Sequence, residues 1–123
     1  MNYEISVCED VYEAGRDECG TPYVAVSYFV MAEATNGARL RHNNFFRGCK
    51  VVADEDGFDH FVDLRERAKA RAEALADKIR VAGRIDERYW SEMDPAYGSK
   101  AYTDMDAGGY FAWRERAEEM GVI

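Results

Sequence analysis

Hydrophobic and polar positions follow two different periods along this chain, and the change comes near residue 58. In the first half, Ile5 and Val7 flank Ser6, the alternation of a short strand. The nine-residue run Tyr23-Val24-Ala25-Val26-Ser27-Tyr28-Phe29-Val30-Met31 is rich in β-branched and aromatic residues, which predicts a strand buried on much of both faces. Gly15 to Pro22 carries Gly, Asp and Pro punctuation and reads as a loop before that strand. Asn36-Gly37 predicts a type I′ hairpin turn, since both residues accept positive φ. Its return strand runs over Ala38 to Phe46, with Leu40 and His42 on one face and Arg39 and Arg41 on the other. Lys50 to Ala53 forms one further short strand.

From residue 58 the period lengthens. Phe61, Leu64, Ala68, Ala72, Leu75, Ile79 and Ala82 recur at spacings of three and four, predicting a long helix over 58–84. Asp56 or Asp59 would cap its start, and Gly83 suits the left-handed position after its last turn. Asp63 with Arg67, and Asp77 with Arg80, are spaced to pair along the exposed side. Alanine holds the centre of the apolar stripe, so this helix can lie close against a sheet. Beyond it, Ile85 to Met93 carries about one helical turn of pattern, opened by Asp86 and stopped at Asp94-Pro95. An ordered loop over 96–103 and a second helical stretch over 104–120 follow. The expected fold is α+β in a single domain, 1–123. An antiparallel meander of three or four strands (1–57) is covered by one long helix (58–84), and a shorter helical, aromatic-rich segment (85–123) completes it.

Composition narrows the function. The 123 residues hold 24 acids against 16 bases, a net charge of -8. The excess is uneven: residues 1–57 carry -5, residues 58–84 carry +2, and residues 85–123 carry -5. Acidity of this kind argues against direct nucleic-acid binding and against attraction to anionic lipid. No stretch reaches the roughly 18 apolar residues of a membrane helix, and no signal-peptide pattern opens the chain, so a cytoplasmic protein is expected. Cys8, Cys19 and Cys49 are odd in number and lack CxxC spacing, as for reduced thiols.

Catalytic patterns are missing from the residues that could supply them. His42 and Cys49 have no flanking pattern of a nucleophile and its base, and His60 falls in the expected first helical turn. Gly98-Ser99-Lys100 has phosphate-loop residues in the wrong order. Aligning Asp54-Glu55-Asp56-Gly57 to a calcium loop leaves Val52 at the first ligand and Asp63 at the last, so it reads as a solvated turn ahead of the helix. No cofactor, metal or catalytic residue is assigned, and the expectation is a non-enzymatic protein. The aromatic residues point elsewhere. Seven of sixteen lie in 85–123, interleaved with aspartates. Tyr and Trp supply stiff contact area with a polar handle, and nearby carboxylates steer a basic partner. The candidate partner-binding residues are Tyr89, Trp90, Asp94, Tyr97, Tyr102, Asp104, Asp106, Tyr110 and Trp113. Trp90 and Trp113 are expected to be partly core, and Tyr97, Tyr102 and Tyr110 partly exposed.

The stretch Asp94-Pro95-Ala96-Tyr97-Gly98-Ser99-Lys100-Ala101-Tyr102, preceded by Trp90 and the pattern from Gly57 to Gly83, resembles small proteins of bacteriophages and other mobile elements. The resemblance covers the last two thirds of the chain and carries no catalytic motif. It implies a context that includes inhibitors of host defence, anti-CRISPR and anti-restriction proteins among them. The expected partner is then a protein with a basic surface, such as a nucleic-acid-handling complex of the host. Self-association through the helix and the aromatic tail is the alternative, and a small enzyme ranks third.

Overall fold

A computed structural model describes residues 2–16, 22–93 and 119 of the chain. Its fold is α+β. Strands β1 (Tyr3–Arg16) and β2 (Pro22–Ala34) form a long antiparallel pair, followed by β3 (Arg39–His42), β4 (Phe46–Arg47), β5 (Cys49–Ala53) and β6 (Asp59–Asp63). Helix α1 (Arg65–Ala82), a 3-10 turn (Glu87–Tyr89) and strand β7 (Trp90–Glu92) come after. The main sheet has the order β1-β2-β3-β7, with β4 pairing β2 further along, and β5 and β6 form a separate two-stranded ribbon.

β2 is the spine of this arrangement. Ala25 to Phe29 and Val30 are all buried, as the uninterrupted apolar run requires of a strand covered on both faces. Even-numbered Val26, Tyr28, Val30 and Ala32 face α1, together with Ile5 and Val7 of β1 and Leu40 of β3. The helix meets them with Ala68, Ala72 and Ala76, each at most 3% exposed, while Leu75 and Ile79 pack at one flank. Methyl side chains at i, i+4 and i+8 let the helix axis lie closer to the sheet than larger residues would. Gly83 closes the helix in the left-handed conformation, φ +67°, its N–H donating to the Ile79 carbonyl at 3.0 Å.

Several sequence expectations are corrected. The first pair is much longer than the Ile5–Val7 signal, and its ladder includes Gly15 opposite Tyr23 and Arg16 opposite Pro22, where a loop was expected. A register shift between Glu13 and Gly15 absorbs the glycine, as a bulge does. The hairpin at Asn36-Gly37 is present, but its turn is not type I′. Gly37 has φ +87°, and among the described residues no non-glycine residue has positive φ. The Gly37 N–H donates to the Ala34 carbonyl and the Ala34 N–H to the Ala38 carbonyl, so the loop holds three residues and Gly37 alone supplies the left-handed position. The return strand also ends at His42 instead of Phe46. Between Arg41 opposite Met31 and Phe46 opposite Tyr28, the return side advances five positions against three, and the surplus bulges out at Asn43–Phe45.

The helix begins at Arg65, and residues 59–63 are strand β6. Phe61 therefore pairs with Val51 and His60 with Val52 in a ladder, not in a helical turn. Neither Asp56 nor Asp59 caps the helix. Asp54 Oδ1 instead accepts the N–H groups of Asp56 and Phe58 at 2.9 Å, closing the β5–β6 turn with Gly57 at φ +82°. Asp63 pairs with Arg65, at 2.7 Å, and not with Arg67; the expected Asp77–Arg80 pair is present at 2.8 Å. The ribbon is tied to both the sheet and the helix through Gly48, whose N–H donates to the Val26 carbonyl and whose carbonyl accepts from Leu64 N–H, both at 2.8 Å.

A Cβ at Gly48 would stand 2.7 Å from the Val26 carbonyl oxygen and 2.8 Å from Val26 Cγ1. Because one obstacle is backbone, Gly48→Ala should cost about 1–3 kcal/mol, as overpacking does, measured by urea unfolding. Ala72→Leu in the buried seam should fall in the same range of about 1–3 kcal/mol. Ala74→Leu, on the exposed side of the helix, should stay within about 0.5 kcal/mol of the wild type.

Candidate functional site

Of the residues expected to bind a partner, Tyr89 and Trp90 fall within the described residues. Asp94, Tyr97, Tyr102, Asp104, Asp106, Tyr110 and Trp113 lie outside them, as do Cys19 and the expected helix over 104–120. The structure assembles an aromatic site around the first two. Gly83 ends α1, and the chain turns back through Ile85 so that Asp86 opens the 3-10 turn, its carboxylate accepting the Arg88 N–H at 3.3 Å. The helical signal at Asp86 thus corresponds to a single 3-10 turn, after which Trp90 enters strand β7.

β7 pairs with β3 in the register His42 opposite Trp90 and Arg41 opposite Ser91. Asn43 N–H donates to the Tyr89 carbonyl at 2.8 Å, and Ser91 Oγ meets Asn43 Oδ1 at 2.7 Å. These bonds fix the end of β7 to the bulge that follows β3. Trp90 points inward and packs against the Ile5–Val30–Ala32–Ala76 cluster, partly core as expected. Tyr89 points outward and is 52% exposed.

His42 joins the two rings. It is buried, stacks on Tyr89 with centroids 6.2 Å apart and planes 16° apart, and meets the Trp90 ring edge-on at 5.1 Å. Its Nδ1 accepts the Asn44 N–H at 3.1 Å, which requires a lone pair on that nitrogen. Burial pushes the imidazole pKa down, in keeping with a neutral ring. His42, the last residue of β3, is thus a packing element between two aromatic residues. Cys49 is buried and Cys8 half-buried, and burial raises the Cys8 pKa. Among the described residues no group of three or more His, Cys, Asp and Glu side chains is placed to hold a metal ion.

Alongside the rings runs a shallow cleft of about 230 Å³ between the carboxyl end of α1 and the 3-10 turn, with Leu75 and Ile79 on its floor and Lys78 and Arg84 at its rim. Asp86 and Arg88 form a two-pronged ion pair at 2.6 to 3.2 Å, and the Arg88 guanidinium lies 5.4 Å from the Tyr89 ring centroid. The Arg88 guanidinium beside Asp86 holds that carboxyl down at about 2. With Asp86 so engaged, Glu87 and Glu92 remain as exposed carboxylates on either side of Tyr89 and Trp90. The sequence flagged both aromatic residues but missed His42 as the ring that orders them. The signal was its position on the same strand face as half-buried Leu40.

No protein family, curated protein or solved structure matches the chain. No helix among the described residues is long and apolar enough to cross a membrane. What the site can do chemically therefore follows from its own groups: an aromatic ledge with a neutral imidazole in the middle, the Glu87 and Glu92 carboxylates beside it, and Lys78 and Arg84 at the rim of the adjoining cleft.

The depressed Asp86 pKa has a consequence for stability. Its contribution is fully present above the ordinary value of 3.8, declines below it, and is gone once the pH has fallen through about 2. Asp86→Asn should therefore flatten the dependence of stability on pH between about 4 and 2, read from thermal unfolding across that range. An unchanged pH profile in the variant would show that the ion pair contributes nothing.

Proposed function

We propose that this protein works by binding another protein, with Tyr89 and its flanking carboxylates as part of the docking patch for a basic partner surface. One observation carries this reading: Tyr89 is a large ring left half in solvent yet held in place. Its stacking on buried His42 and the anchoring of neighbouring Trp90 remove the rotamer freedom that an exposed tyrosine would otherwise lose on binding. Ordered aromatic residues of this kind are the side chains that dominate interface energetics. Glu87 and Glu92 add the charge that would steer a basic partner and set its orientation. Asp94, Asp104 and Asp106, in the acidic segment that follows, would extend the same charge.

The resemblance to bacteriophage and mobile-element proteins suggests the class of partner: a nucleic-acid-handling defence complex of the host, whose basic surface would be occupied in the manner of an anti-CRISPR or anti-restriction inhibitor, in the host cytoplasm. Carboxylates can compete with phosphates for the same Lys and Arg side chains.

Tyr89→Ala should weaken capture of such a partner by roughly tenfold or more, as loss of an aromatic anchor does. The double variant Glu87→Lys, Glu92→Lys should weaken it further at low salt than at high salt. Both are read by affinity capture at two salt concentrations, with sedimentation at two protein concentrations to detect a second copy as the occupant. Full capture by both variants would remove this patch from the interface.

A further inference from the structure

A second cleft lies at the other end of α1, and its lining is cationic. Phe46 and Arg47 of β4 face Leu64, Arg67, Ala68 and Arg71 of the helix start, around a cavity of about 160 Å³. Arg71 sits over the Phe46 ring, its guanidinium 5.3 Å from the centroid. The geometry is held from behind. Leu64 N–H donates to the Gly48 carbonyl and Gly48 N–H to the Val26 carbonyl, so β4 and the first turn of the helix are locked to each other through one glycine.

What distinguishes this cleft is the state of its arginines. Among the described residues, three other guanidinium groups are neutralised by a carboxylate, Arg65 by Asp63, Arg80 by Asp77 and Arg88 by Asp86, while Arg84 makes no ion pair. Arg41 lies between the Phe29 and Phe45 rings, 5.1 and 4.3 Å from their centroids. Arg47, Arg67 and Arg71 converge on one cavity, and among the described residues no carboxylate pairs with any of them. Arg67 and Arg71 are one helical turn apart, a like-charge spacing that destabilises a helix unless an anion lies between. In a chain with 24 acids to 16 bases, three unneutralised arginines around one cavity are a specific departure from the whole. Asp63 and Glu66 belong to a neighbouring cleft that shares only Leu64 and Arg67 with this one.

We propose that the cleft formed by Arg47, Arg67, Arg71 and Phe46 is a binding site for a phosphomonoester group. Three guanidinium forks drawn from two elements match a tetrahedral dianion with three terminal oxygens better than a planar, singly charged carboxylate. The site lies beside the first turns of α1, the end of the helix that favours negative charge and where Asp63 Oδ1 already accepts the Arg65 N–H at 3.0 Å. Phe46 and Leu64 provide an apolar wall for the organic part of the ligand, so a phosphate carried on an aromatic group fits better than inorganic phosphate. This inference does not depend on the aromatic docking patch, which uses none of these residues.

Isothermal titration of the full chain at low ionic strength tests it, with phenyl phosphate, inorganic phosphate, benzoate and a phosphotyrosine peptide as probes. Phenyl phosphate should bind more tightly than inorganic phosphate, and benzoate at least tenfold more weakly than phenyl phosphate. Tighter binding of the peptide than of phenyl phosphate would assign the phosphate to a protein side chain, and equal binding to a small molecule. Arg47→Gln, Arg67→Gln and Arg71→Gln should each weaken phenyl phosphate by about tenfold, as loss of a charge-assisted hydrogen bond does. These side chains are exposed, so the variants should keep the wild-type unfolding midpoint, and Arg71→Lys should fall between wild type and glutamine. Benzoate binding as well as phenyl phosphate, no binding of any phosphate probe, or full binding by the triple glutamine variant would each overturn the proposal.

Discussion

The close approach of α1 to β2, allowed by a seam of three buried alanines, is the constraint on which the other features of the molecule depend. Ala68, Ala72 and Ala76 lie against Val26, Val30 and Ala32 with almost no exposed surface. Larger residues there would lift the helix from the sheet and shift every side chain that reaches past it. Arg80, paired with Asp77, extends from the helix to donate to the Ile5 carbonyl of β1 at 2.8 Å. Arg71 comes down onto Phe46, and Leu75 and Ile79 provide the floor beneath Tyr89 and Trp90. Because packed interiors do not deform continuously, both ends of the helix inherit their position from its middle.

Gly48 plays the corresponding part for the chain that leads into the helix. The bulge at Asn43–Phe45 carries the return strand away from β3 and lets Phe46 and Arg47 rejoin β2 at Tyr28 and Ser27. The backbone then passes so near Val26 that only a residue without a side chain fits. From there the β5–β6 ribbon leaves and returns, delivering Leu64 to the Gly48 carbonyl as the first residue ahead of the helix. Leu64, at the cap position, makes no side-chain cap; its N–H is held by the Gly48 carbonyl, and Asp63 Oδ1 accepts the Arg65 N–H at 3.0 Å. Position here is set by contacts across the fold and not by the residue at the cap.

That distinction explains what the sequence revealed. The continuous apolar run of β2, the alanine stripe, Gly83 and the opposite faces of Leu40 and Arg41 were all legible because each is a local pattern with one physical cause. The β5–β6 ribbon was not. Phe61 and Leu64 stand three apart, which extends a helical period backwards across a strand, and the Asp54 cluster resembled a helix start. Yet Asp56-Gly57 is as good a hairpin signal as Asn36-Gly37, and the two turns are built alike. In each, glycine takes positive φ, its N–H donates three residues back, and the first residue's N–H bonds the carbonyl four residues on. Reading both dipeptides by the same rule places the ribbon and moves the helix start to Arg65. The length of β1 was hidden for another reason: Glu9, Asp10 and Glu13 interrupt the apolar alternation in a strand whose register is supplied by β2. His42 was legible as a strand residue, but its role between two rings depends on β7, which arrives from nearly fifty residues away.

Charge separates the two ends of α1. Its amino-terminal cleft gathers Arg47, Arg67 and Arg71 with no carboxylate partner among the described residues, while the turn after its carboxyl end presents Glu87 and Glu92 beside Tyr89. A net charge of -8 therefore describes neither end: the average conceals a cationic pocket at one end of the helix and, past the other, an aromatic ledge with charges of both signs around it. At about 1.5 Å of rise per residue, the twelve positions from Arg67 to Ile79 hold the two sites roughly 18 Å apart. At that distance exposed charges are screened from each other at physiological salt, whose Debye length is about 8 Å. An anion in one cleft would therefore leave the electrostatics of the other nearly unchanged. Communication between them would have to pass through the alanine seam, which is packed too tightly to move in small steps. An occupant of the one surface would on these grounds leave the other free to bind.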